Sequence, residues 1–151
     1  MERYDIVSFE VAKLIKEKGF NEMCRESYIP RYTHNGEDID EDEEFELKCE
    51  GRENEIEIIE GGSTWEHWNR NNDDSVSVSA PSLWGMMEYL REKYNIHITV
   101  KPYVNEDGIN FLYEIYTLEP YKFSLVKSKT GFNTSKEAVN SAIEYIYKNL
   151  L

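Results

Sequence analysis

Between Ser79 and Val104 the hydrophobic period changes from helical to strand-like without a spare residue. Leu83, Met87, Leu90 and Tyr94 recur at the spacing of one helix face. Pro81 suits a first helical turn, where its missing N–H costs nothing, and Ser79 or Ser82 can cap it. Asn95 is a stop signal, and from the next residue Ile96, Ile98 and Val100 alternate with His97, Thr99 and Lys101. That is the period of a strand with one buried face. A helix that passes straight into a strand must lie back across the sheet the strand joins, so this unit is expected at the centre of the core.

The sequence after Val104 extends the pattern. Asn105-Glu106-Asp107-Gly108 carries the Asp-Gly signal of a hairpin turn. Asn110 to Leu118 alternates Phe111, Tyr113, Ile115 and Thr117 against Leu112, Glu114, Tyr116 and Leu118, as a central strand covered on both faces would, and Pro120 ends it. Phe123 to Val126 reads as a third, weaker strand, and Thr134-Ser135-Lys136-Glu137 as a capping box opening a helix with Val139, Ala142, Ile143, Ile146 and Leu150 inward. Helix, three strands and helix in succession predict an antiparallel sheet with helices on one face.

Before Ser79 the signals are sparser. Ser8 precedes an amphipathic helix with Val7, Val11, Leu14 and Ile15 on one side, Gly19 as its left-handed terminator and Phe20 placed for the contact that follows such a cap. Glu26 to Thr33 contains Pro30, which predicts an edge strand or extended arm. Phe45–Cys49 and Glu55–Ile59 alternate as the two arms of a hairpin would, and Val76 and Val78 mark a short strand. The whole is expected to be α+β, with helices near 8–18, 82–94 and 135–149 around a mostly antiparallel sheet. A length of 151 residues predicts a single domain, 1–151, carrying an acidic insertion at about 37–62.

Charge narrows the possible partners. The net charge is −13, and Glu37 to Glu60 alone holds 13 acids against Lys48 and Arg52. Nucleic-acid binding rests on Lys and Arg displacing counterions, so direct binding to DNA or RNA is not expected. Asp38, Asp40 and Asp42 open like a calcium loop, but Glu43 stands where glycine is required and Cys49 where a bidentate Glu belongs. Cys24 and Cys49 lack metal spacing, and His34, His67 and His97 have no partners at ligand spacing. Neither a phosphate-binding Gly-rich loop nor a Gly-x-Ser-x-Gly elbow is present. No cofactor, metal site or catalytic residue is expected. Reduced thiols, the absence of a long apolar run and an N-terminus unlike a signal peptide predict a cytoplasmic protein with no membrane contact.

Val7 to Phe20, Ser79-Ala80-Pro81-Ser82-Leu83, Tyr89-Leu90-Arg91-Glu92, Asn95-Ile96-His97-Ile98 and Ser135-Lys136-Glu137-Ala138 together resemble a family of small proteins of unknown function encoded in gut Bacteroidetes and their phages and mobile elements. The likeness covers the first helix and the chain from Ser79 onward. It implies a phage-related context and supplies no activity or catalytic residue. The helix–strand–strand–strand–helix order is also similar to double-stranded RNA-binding domains, but where such a domain presents several lysines at its last helix this chain has Lys136 followed by Glu137.

The expected function is that of a non-enzymatic accessory protein that binds a host or phage protein. Trp65 and Trp68, three apart in a polar stretch, are the candidate contact patch, since Trp joins a large apolar body to a wettable N–H. The alternative is an acidic nucleic-acid mimic in which Glu46, Glu55 and Glu57 stand in a row and occupy the basic groove of a host DNA-binding enzyme.

Overall fold

A computed structural model describes residues 5–24, 26–30, 56–60 and 78–151, with the backbone alone at 26, 29, 30 and 56–60. The fold is α+β, with three helices among the described residues and two antiparallel sheets. By its contacts the chain divides into two units, Met1–Val7 with Ser82–Leu151, and Ser8–Pro81.

In the Ser8–Pro81 unit, α1 (Phe9–Glu17) begins at Ser8, whose hydroxyl accepts the Val11 N–H. It ends in two reversed hydrogen bonds, Gly19 N–H to the Lys16 carbonyl and Phe20 N–H to the Ile15 carbonyl, each 3.0 Å. Such a cap needs a left-handed residue, and Gly19 supplies it at φ +87. The helix buries Phe9, Val11, Ala12 and Ile15; Leu14 is only half-buried, so the inward face is turned toward Phe9 relative to the expected stripe. Phe9 meets Tyr28 edge-on at 5.4 Å, and burial pushes the Tyr28 phenol up to about 12.

Tyr28 belongs to β1 (Glu26–Pro30), which lies between β2 (Ile56–Glu60) and β3 (Val78–Ser79). This corrects the edge position expected from Pro30. Proline closes the strand as its last residue, leaving the rungs from Glu26 to Ile29 with their N–H groups. The stretch expected as the second arm of an acidic hairpin forms β2 and pairs with β1; Phe45–Cys49 lies outside the described residues.

In the other unit, α2 (Leu83–Tyr94) is capped by Ser82, whose Oγ accepts the Gly85 N–H at 2.9 Å. It stops at Asn95, in the left-handed region at φ 54, and β4 (Ile96–Asn105) follows at once. The hairpin that follows β4 turns on Glu106 and Asp107, with Asn105 opposite Gly108. The glycine therefore follows the turn instead of sitting within it. Strand β5 (Gly108–Glu119) is central, between β4 and β6 (Lys122–Phe132). One of its faces buries Tyr113 and Ile115, while Glu114 and Tyr116 on the other are half-buried, so it is less covered than its sequence suggests.

Strand β6 is longer than the expected 123–126. Its register shifts twice, between Ile115 and Tyr116 and between Phe111 and Tyr113 of its neighbour, and each bulge breaks the period-two pattern by which a strand is read. The second shift contains Gly131 at φ +94, whose N–H is satisfied by Tyr103 Oη at 3.0 Å. Thr134 caps α3 (Ser135–Asn149) by accepting the Glu137 N–H, and the Glu137 carboxylate accepts the N–H of Asn133. Both helices pack on the β4–β5–β6 sheet. Leu83, Met86 and Leu90 are the buried positions of α2. Met87 and Tyr94, expected inward, are half-buried and exposed, because the stripe runs through Met86.

Two backbone positions test these assignments. Nothing lies within 4 Å of where a Cβ would stand at Gly19, so Gly19→Ala is expected to cost only the left-handed strain, about 1 kcal/mol in urea unfolding. Tyr121 closes the β5–β6 turn at φ 67 with a fully exposed side chain. Tyr121→Gly removes that strain without uncovering any packed surface and is expected to stabilise by about 1 kcal/mol; an unchanged or lowered midpoint would contradict the assigned turn.

Candidate functional site

Strand length and helix length do not match in the Ser82–Leu151 unit, and the mismatch opens a site. Strand β4 has 10 residues, α2 has 12 and α3 has 15. At their respective rises these are about 33, 18 and 22 Å long, so the sheet outreaches the helices that cover it. Because α2 reverses directly into β4, its first turn lies toward the β4–β5 hairpin end.

There Leu83, Trp84 and Met87 of α2, Val100 of β4, Phe111 of β5 and Val139 of α3 line a groove of about 180 Å³. Asp5, Ser135 and Lys136 complete its lining. Asp5 is held by its carbonyl, which accepts the Leu83 N–H at 2.9 Å, and by the antiparallel bridge of Ile6 to Ser82. Its carboxylate pairs with Lys136 Nζ at 2.5 Å, which places an ion pair at the groove. Trp84 is 67% exposed, and the cross-strand pair Val104 and Ile109, in register with the groove-lining positions, is 79% and 67% exposed. Pro102, opposite Phe111, is exposed as well. An apolar strip therefore runs from the groove to the hairpin tip, of the kind that marks a contact surface.

On the face of the sheet away from this groove, Lys101 Nζ lies 2.6 Å from Glu114 Oε1, and the Tyr116 hydroxyl donates to Glu114 Oε2 at 2.8 Å. Phe123 meets Tyr116 edge-on at 5.1 Å. The hydrogen bond from Lys101, and then that from Tyr116, hold the Glu114 carboxyl below the usual carboxylate range. Glu114 in turn raises both the Lys101 ammonium and the Tyr116 phenol. Each group is driven away from neutral pH, which suits a fixed ion pair rather than a proton-transfer pair.

The residues expected to bind lie elsewhere. Trp65, Trp68, Glu46 and Glu55 are outside the described residues. Glu57 is in β2, opposite Ile29. Reasoning from sequence missed Trp84, Val104 and Ile109. A signal was present: the alternation from Ile96 to Val104 outlasts what a helix ending at Tyr94 can cover, and Trp84 stands beside the apolar stripe instead of in it.

Among the described residues no group of three or more His, Cys, Asp or Glu could hold a metal ion, and no helix is long and apolar enough to cross a membrane. No family model, curated protein or solved structure matches the chain.

The Lys101–Glu114–Tyr116 cluster has a defined acid response. Since the Glu114 pKa is lowered, its contribution to stability is complete above the ordinary carboxylate pKa and is lost as pH falls through the lowered one. Carboxyl titration by NMR is expected to show Glu114 below the usual carboxylate range, and Lys101→Met to move it up. A Glu114 value unmoved by that substitution would remove the assigned coupling.

Proposed function

We propose that the protein is a non-enzymatic accessory protein that works by protein–protein binding, and that the α2–α3 groove receives one apolar side chain of its partner. The groove volume carries this reading. A cavity of about 150 Å³ accepts a benzene ring, whereas drug-sized ligand sites run to roughly 300–1,000 Å³. At about 180 Å³ the groove is the size of a single aromatic or branched side chain. Exposed Trp84, Val104 and Ile109 beside it supply the flat apolar contact that surrounds such an anchor.

The Asp5–Lys136 pair fits a polar rim, where charges fix orientation more than they add affinity. The resemblance to proteins of gut Bacteroidetes and their phages points to a host or phage protein as the partner. A cytoplasmic setting, as expected from the sequence, is part of this reading.

The test is affinity capture followed by titration of the captured partner against variants whose circular dichroism is unchanged. Trp84→Ala is expected to weaken binding by about thirtyfold, as loss of a Trp hot spot does, and Val104→Asp to weaken it further. The double variant Trp65→Ala/Trp68→Ala serves as comparison. A partner that binds the Trp84 and Val104 variants as tightly as the parent would exclude the groove.

A further inference from the structure

The outer edge of β6 bears an unusual set of charges for so acidic a chain. Over its 11 residues β6 carries Lys122, Lys127 and Lys129 and no acid, in a protein of net charge −13. Other lysines of the same unit are neutralised in place: Lys101 by Glu114, Lys136 by Asp5 and Lys148 by Glu144. The three lysines of β6 make no ion pair among the described residues. Lys127 and Lys129 rest instead over the rings of Tyr145 and Phe132, at 5.4 and 5.8 Å, which positions their charge without cancelling it.

Strand order is β4–β5–β6, so among the described residues β6 has a neighbour on one side only. An open edge is a template for another strand, and lysine along it is a common guard. The guard is selective. Lysines opposite lysines repel, so a second copy of β6 is disfavoured, while an acidic strand finds its charges met. The register adds a second criterion. Lys122, opposite Glu119, and Lys127 and Lys129, opposite Ile115 and Tyr113, fall on the helix-covered side of the sheet, whereas Phe123 and Leu125, opposite Leu118 and Tyr116, fall on the other. Phe123 and Leu125 are 67% and 54% exposed. We propose that β6 is a docking edge for an extended acidic peptide segment of a partner protein, added as a further antiparallel strand with its acids facing Lys127 and Lys129 and its alternate apolar residues beside Phe123 and Leu125. This surface is separate from the groove.

The probe is a fluorescein-labelled ten-residue peptide alternating Glu with Val and Phe, titrated with the full chain by anisotropy. Binding is expected, weakening at least about tenfold as salt rises from roughly 50 to 500 mM. The same peptide with Lys for Glu is expected not to bind, and N-methylation of alternate amides, which removes the strand's donors, is expected to abolish binding. Lys127→Glu/Lys129→Glu should exchange the preference between the two peptides. Lys127→Gln/Lys129→Gln should lose the Glu peptide with circular dichroism unchanged. The proposal is overturned if the parent chain binds neither peptide or both alike, if the N-methylated peptide binds as well, or if sedimentation shows that the chain instead pairs with itself through β6.

Discussion

The one-residue reversal at Asn95 sets the geometry of the whole Ser82–Leu151 unit. Its left-handed backbone ends α2, its N–H closes on the Arg91 carbonyl at 3.2 Å, and its own carbonyl accepts the Leu118 N–H at 2.7 Å. One residue thus ends the helix, begins β4 and ties that start to β5. Asparagine tolerates this conformation better than other residues with a Cβ, because its short side chain can satisfy local polar groups. With no linker to change direction, α2 must run back along β4, and its first turn must come to lie at the hairpin end. The groove is a product of that constraint.

What could be read from the chain beforehand follows the range of the interaction responsible. Helix limits are local, set by caps such as Ser8, Ser82, Thr134 and Gly19, and the expected spans agree with the observed helices to within a residue. The three-strand order also emerged, since each connection is one or two residues long. The length of β6 was hidden because its bulges are answers to its neighbour, with Gly131 relying on a hydroxyl 28 positions earlier in the chain. The central place of β1 was hidden for the same reason: Pro30 reads as an edge residue until its position at the last rung is known. The groove draws on Asp5, two helices and two strands, and no window of sequence contains it. Only the excess of strand length over helix length was available in advance.

Charge in this unit is managed by position. Lys101, Glu114 and Tyr116 hold one another on the open face of the sheet, and the cluster fixes the ring against which Phe123 packs. At the groove, Asp5 and Lys136 form a second pair between the segment preceding α1 and the start of α3. Both pairs orient neighbouring aromatic or apolar groups more than they stabilise the fold, since exposed ion pairs contribute about 0–1 kcal/mol each.

The Asp5–Lys136 contact also has a meaning in time. Chains leave the ribosome from the N-terminus at roughly 5–20 residues per second, so Asp5 emerges well before any residue it will touch in this unit. Its backbone partners Ser82 and Leu83 follow later, and Lys136 later still. Most other contacts of the Ser82–Leu151 unit join neighbouring elements and can form as they appear. The groove therefore waits on the first turns of α3, and a chain cut short before α3 would lack Ser135, Lys136 and Val139 of its lining.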